Sequence, residues 1–262
     1  MTYETIDVDR GRVTTITFDR PAAANTLTAQ LCQEVLDALN SLNDSARVVV
    51  LTGADGTFSA GGDLGEMADN EDAKLDAKEN YDYIDKNGHE LVRTLRNIEQ
   101  PVIAAVSGPA VGAGCNLALA CDIVVADETA RFGQVFWNVG LHPDAGGTYF
   151  LPREVGLKKA CELIFTGDIV GADEADELGM VNRVVPDGDL QAETSELAEK
   201  IANGPPIAIG LAKESIYVNV DNDLDAALNR EALAQLYCLT TEDSTEGVDA
   251  FSEKREPEFV GK

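Results

Sequence analysis

Two glycine-bearing turns are the parts of this chain best suited to do chemistry, with one aspartate as a lesser candidate. The first turn is residues 59–64 (SAGGDL), reached from an apolar run at 47–52 (RVVVLT). The second is residues 108–114 (GPAVGAG), reached from 102–107 (VIAAVS) and leading into a further apolar segment. Small residues let a ligand approach the main chain, and free N–H groups at a helix start favour negative charge, as on an oxygen that gains electrons during a reaction. Tight strand-to-helix turns also use glycine for steric reasons alone. Neither turn has the spacing of a dinucleotide fingerprint or the lysine of a phosphate-binding loop. The aspartate is Asp144, in Leu141-His142-Pro143-Asp144-Ala145-Gly146-Gly147. By itself a carboxylate there reads first as the cap of a turn or helix, and only second as a proton carrier.

These groups need elements to hold them. Residues 13–18 (VTTITF), 47–52, 102–107 and 122–126 read as strands. Residues 28–42 have helical spacing at Leu31, Val35, Leu36, Leu39 and Leu42, with Thr28 as N-cap. The stretch from 64 to about 87 is polar, acidic and weakly periodic, a surface excursion or helix. Helices are predicted at 89–98, 157–165, 172–178 and 193–202. After the break at Gly204-Pro205-Pro206, two more are predicted at 207–218 and 224–239. Strand, glycine turn and helix recur, which indicates an α/β core with its turns aligned at strand ends. The last helix has a broad apolar face (Leu224, Leu228, Ala232, Leu236, Leu239) that either packs on its own core or joins subunits.

Composition bounds the setting. The 262 residues are 44% hydrophobic, ordinary for a globular chain, but carry a formal net charge of -27. The acidic excess is spread along the whole chain, which favours a surface adapted to concentrated salt over a docking site for a basic partner. No basic stripe is visible, which argues against nucleic acid. Five cysteines (Cys32, Cys115, Cys121, Cys161, Cys238) lack zinc spacing and read as small core residues. The start MTYETIDVDR has no apolar leader, and no run approaches the ~18 apolar residues of a membrane span. A reducing cytoplasm is the expected compartment, with no membrane association.

Taken in order, a longer set of segments resembles the enoyl-CoA hydratase/isomerase (crotonase) family across essentially the full length. These are FDRPAAANTL, VVVLTGADGTFSAGGDL, PVIAAVSGPAVGAGCNLALACDIVVA, FGQVFWNVGLHPDAGGTYFLPREVG, IFTGDIV, LGMVNRVVP and EGVDAFSEKREPEF. The resemblance implies a crotonase-like α/β spiral of ββα units over residues 1–196. It also implies a helical C-terminal region over 197–262 that mediates trimer contacts, giving a homotrimer or hexamer. It implies an acyl-CoA thioester as substrate, with no metal or redox cofactor and CoA arriving as part of the substrate. The family's oxyanion hole falls on the backbone N–H groups of Gly62 and Ala113. The CoA-binding surface falls around Ala22, Ala24, Ala60, Asp63 and Leu64.

The chain departs from the hydratase pattern at two positions. The two glutamates with which the family's hydratases add water fall on Asn116 and Phe136, neither of which transfers protons. Asp144 stands where hydratases usually carry glycine and several isomerase branches carry aspartate. The tail KREPEFVGK and the GAG turn look closest to the 1,2-epoxyphenylacetyl-CoA isomerase branch. The expected reaction is isomerisation of an enoyl- or ring-type acyl-CoA with Asp144 as acid and base, aided by Asn116. Phe136 and Trp137 would line the acyl pocket or fill core. Glu66 reads first as an exposed helix residue and His142 as a surface or packing residue, while Lys254 and Arg255 read equally as contacts to CoA phosphates and as solvated charges. Rival readings are a hydratase lacking the usual glutamates, a hydrolase with Asp144 as nucleophile, and a noncatalytic acyl-CoA binder.

Overall fold

The computed structural model describes residues 2–65 and 76–262. The strands, in chain order, are β1 (Ile6–Asp9), β2 (Val13–Phe18), β3 (Val48–Gly53), β4 (Val102–Val106), β5 (Pro109–Val111), β6 (Ile123–Asp127), β7 (Arg131–Gly133), β8 (Ile169–Gly171) and β9 (Arg183–Val185). The helices are α1 (Ala29–Asn40), α2 (Ala77–Ile84), α3 (Glu90–Asn97), α4 (Ala113–Ala120), α5 (Gly147–Thr166), α6 (Ala172–Glu177), α7 (Leu190–Ala202), α8 (Pro206–Asn219), α9 (Leu224–Cys238) and α10 (Glu242–Glu253).

The main sheet runs β1-β2-β3-β4-β6-β9, parallel except for the β1–β2 hairpin. Parallel strands must be covered on both faces. Here Val49, Leu51, Ala104 and Val106 point into one apolar layer with α1, α3 and α4, while Val48, Val50, Ile103 and Ala105 point into another with Ala198 and Ala202 of α7. The central strand β4 is consequently buried along its whole length. A second sheet, β5-β7-β8, lies across the C-terminal ends of these strands and carries the second glycine turn.

The structure realises the helix expected at 28–42 as α1. The Thr28 side chain accepts from the Leu31 N–H at 3.2 Å, and Leu31 and Val35 are fully buried. Removing that cap by Thr28→Ala is expected to cost about 1 kcal/mol of folding free energy. Denaturant titration checks this, and an unshifted midpoint would mean the cap contributes nothing.

Differences from the sequence reading are physical in origin. The helix expected at 157–165 is the second half of α5, which begins at Gly147 and kinks at Gly156, where φ is 77°. The strands β5, β7 and β8 have three residues each, too few for a period-2 pattern to declare itself. The expected division after residue 196 falls inside α7, whose Ala198 and Ala202 belong to the sheet's second core layer.

The first helix of the C-terminal region, α8, is fastened to the core by charge. Lys213 Nζ lies 2.8 Å from Asp122 Oδ2 and donates to the carbonyls of Leu95 and Gln100. Tyr217 donates to the other Asp122 oxygen, and Arg96 stacks on its ring. By contrast, α9 buries no residue, and Leu224, Leu228, Leu236 and Leu239 are all exposed. No described helix is long and apolar enough to cross a membrane.

Candidate active site

The first turn follows β3 and lies against β5. Ser59 N–H donates to Pro109 O, and Val111 N–H donates to Ser59 O at 3.0 Å. Leu27 N–H donates to Gly61 O at 2.8 Å, which ties the turn to the chain entering α1. Gly61 has φ +91°, and a Cβ there would lie 2.8 Å from Val111 O and 3.4 Å from Ala113 N. The first turn therefore rests directly on the second. Gly112, at φ +56° and ψ −128°, takes a conformation open to glycine, and its N–H donates to Gly133 O at 2.8 Å. A Cβ on Gly114 would fall 2.6 Å from Ser59 O. This close approach is why both turns need residues without side chains.

Unpaired N–H groups are left over in this junction. Among the described residues, neither Gly62 N–H nor Ala113 N–H has a hydrogen-bond partner. Ala113 is the first residue of α4, so its N–H is one of the donors that a helix cannot satisfy internally, at the end where the peptide dipoles are positive. These are the two groups expected from the sequence to form the oxyanion hole.

Asp144 lies in the loop before α5. Its main-chain oxygen accepts from Asn116 Nδ2 at 2.8 Å and from Gly147 N–H at 2.9 Å. The chain then turns through left-handed Ala145 (φ 45°) and Gly146 (φ 83°). The Asp144 side-chain oxygen Oδ1 is buried and has no hydrogen-bond partner among the described residues. Burial pushes the carboxyl above the ordinary carboxylate range, against smaller opposing pulls from His89, from the residue's own main-chain N–H and from His142. An oxygen without a bound donor and with raised proton affinity is suited to take a proton.

Asn116 is fully buried in α4, so it reaches the site through the Asp144 main chain. Phe136 is also buried, and its ring edge would lie 3.8 Å from a Cβ on Gly112, beside the second turn. Trp137 is 61% exposed and packs beside Gly167. On the other side of the turns, Ala60 N–H donates to Ala24 O at 3.0 Å, with Ala22 and Leu64 exposed nearby in the chain. Asp63 accepts from Thr26 Oγ1 at 2.9 Å and from Arg20 at 3.3 Å. Glu66 lies outside the described residues. Arg255 is paired with Glu246 and Glu253, while Lys254 is an exposed left-handed residue closing α10.

Sequence reasoning missed two residues here. His89 closes the π turn Asp85–His89 and acts on Asp144 from a distant part of the chain; no local motif marks it. Gln134 is buried beside Asn116, and no motif in the sequence marks it. Cys115, next to Asn116, is fully buried, and burial pushes its thiol up to about 12, away from the thiolate form.

Comparison with known proteins gives a consistent result. A sequence model described as "Enoyl-CoA hydratase/isomerase" matches residues 9–262. A protein from Rhodobacter capsulatus named "Probable enoyl-CoA hydratase" is 38% identical, covering 100% of both chains. The "Crotonyl-CoA hydratase" of Syntrophomonas wolfei is 36% identical, again over 100% of both. The crystal structure of an enoyl-CoA hydratase from Bacillus anthracis superposes with a TM-score of 0.93 at 38% identity, covering 99% of this chain and 100% of that one.

Proposed function

The chain belongs to the enoyl-CoA hydratase/isomerase family, and on that premise we propose that it isomerises an enoyl- or ring-type acyl-CoA, with Asp144 carrying the proton. The observation that supports this reading most is the Asp144 carboxyl, one oxygen of which is buried and unbonded. It is supported also by Asn116 and Phe136, buried and uncharged at the positions that matched the hydratase glutamates.

In the proposed reaction the thioester oxygen accepts hydrogen bonds from Gly62 N–H and Ala113 N–H. That lowers the energy of the enolate formed when Asp144 removes the proton from the carbon next to the carbonyl. The C–H electron pair passes into the enolate, the double bond shifts, and the same carboxyl returns the proton to a carbon further along. Nothing is oxidised or reduced and no atom is lost. The site binds the CoA portion over Ala22, Ala24, Ala60, Asp63 and Leu64. Phe136, beside the second turn, suits an aromatic or ring-bearing acyl group such as that of the 1,2-epoxyphenylacetyl-CoA isomerase branch.

A second reading is hydration of a 2-enoyl-CoA, which the names of the relatives favour. Asp144 would then handle both protons in sequence. Incubation with a panel of enoyl-CoAs in molar KCl, followed by mass-resolved product analysis, separates them. Unchanged mass with a new isomer supports isomerisation, and a gain of one water replaces it with hydration. Release of free CoA would mean hydrolysis, and binding without turnover a noncatalytic role.

We further propose a homotrimer or hexamer that assembles only in concentrated salt. The exposed apolar face of α9 supports assembly, and the charge of -27 per chain opposes it. At low salt the Debye length is ~30 Å and repulsion spans an interface; at 1 M it is ~3 Å. Sedimentation from 0.05 to 3 M KCl is expected to show association rising with salt. A stable trimer at the lowest salt would remove the salt requirement, and a folded monomer throughout would remove the assembly.

A further inference from the structure

We infer that Gln134 is a positioning residue for Asp144, acting through the Asn116 side chain; the inference rests on the proposed role of Asp144. Gln134 follows β7 and is 1% exposed. Its Nε2 donates to Asn116 Oδ1 at 2.7 Å, and Asn116 Nδ2 donates in turn to Asp144 O at 2.8 Å. The order of these two bonds is forced. Turning the Gln134 amide over would set its oxygen against Asn116 Oδ1, and turning Asn116 over would set an oxygen against the Asp144 carbonyl. Each alternative puts acceptor on acceptor.

The arrangement leaves Gln134 Oε1 buried with no partner among the described residues, which is costly for an amide. A side chain needed only to fill this space would not have to leave an acceptor unbonded. What it supplies is a donor that fixes the Asn116 amide. That amide in turn holds the Asp144 carbonyl immediately before the left-handed Ala145 and Gly146. The fit is close, since a Cβ on Gly147 would lie 2.5 Å from Asn116 Nδ2. Asn116 also sits in α4, which opens with Ala113. One amide thus connects the helix bearing an oxyanion donor to the loop bearing the base, and Gln134 sets its orientation from the end of β7. Without that donor Asn116 Oδ1 is left buried and unpaired, the amide is held at one end only, and the Asp144 loop loses its register against the oxyanion donors.

The test is deuterium uptake from D2O into the α-carbon of phenylacetyl-CoA in molar KCl, followed by mass spectrometry. Gln134→Leu is expected to lower kcat for exchange about 10- to 10²-fold with KM unchanged, the consequence of a base displaced by a fraction of an ångström. In an Asn116→Leu background the same substitution is expected to add less than about twofold, because the two residues act as one path. If Gln134→Leu does not fold by circular dichroism, Gln134→Met keeps the side-chain length without the donor and carries the same expectation. Losses that multiply, a rise in KM at constant kcat, or unchanged exchange would overturn the inference. Asp144→Asn serves as the control. Exchange abolished there but intact in the Gln134 variants sinks this inference alone, whereas exchange surviving in Asp144→Asn, or absent from the unsubstituted protein, sinks the proposed function and this inference with it.

Discussion

Replacing Asp144 by asparagine is expected to lower turnover by about 10²–10⁴ while leaving acyl-CoA binding nearly unchanged, the loss typical of removing a general acid–base group. Asparagine keeps the shape and cannot take the proton. The main-chain bonds that hold the loop, from Asn116 and from Gly147, do not involve the carboxyl and should survive. Stability should move the other way. Because burial raises the folded-state proton affinity of Asp144, its ionised form costs folding free energy at pH values above the raised value. That cost is relieved as pH falls and the group protonates. Asp144→Asn removes it, so the variant is expected to melt no lower than the parent at pH 7. The same shift governs the rate: activity should fall with decreasing pH through a value above the ordinary carboxylate range, and this limb should be absent from any residual activity of the variant. Retention of more than about half the turnover would make Asp144 a turn cap. A melting temperature several degrees lower at pH 7 would assign the carboxylate a structural role.

Deleting the Ala113 N–H is expected to cost about 10²–10³ in turnover, the effect of losing one of two fixed donors to a developing oxyanion. Proline at this position is the simplest route. Ala113 is the first residue of α4, where proline's missing N–H costs no intrahelical bond. Its N–H also has no partner among the described residues, so stability should change little while the rate collapses. An amide-to-ester replacement of the Gly112–Ala113 peptide is the cleaner version, because it removes the hydrogen and adds no ring. Single-turnover kinetics with a tightly bound acyl-CoA would place the loss in the chemical step. An unchanged rate in the ester variant would remove Ala113 from the oxyanion hole and leave Gly62 N–H to act alone.

Much of this was legible in the residues themselves. The period of Leu31, Val35, Leu36 and Leu39, with Thr28 before it, specifies α1, because helix periodicity and capping are local properties. The apolar runs that became β3, β4 and β6 declared themselves because strands covered on both faces need no polar alternation. The glycines at 61, 112 and 114 marked a close approach, whereas Asp144 stood out only through the family resemblance, since by itself a carboxylate before Ala-Gly-Gly reads as a turn cap. What remained hidden depended on distance in space. That Gly61 rests against Val111 and Ala113 required two turns far apart in sequence to be aligned by a parallel sheet. The three-residue strands that complete this alignment are too short to show a pattern. Asn116 was expected to help Asp144, yet only the packed structure decided that it does so through a main-chain carbonyl. Gln134 and His89 were invisible as site residues because their partners lie elsewhere along the chain. Sequence determined which groups can do chemistry, since that depends on residue type and local backbone freedom. Tertiary structure alone decided which of them meet and in what orientation, since burial and hydrogen-bond geometry arise only when the layers close.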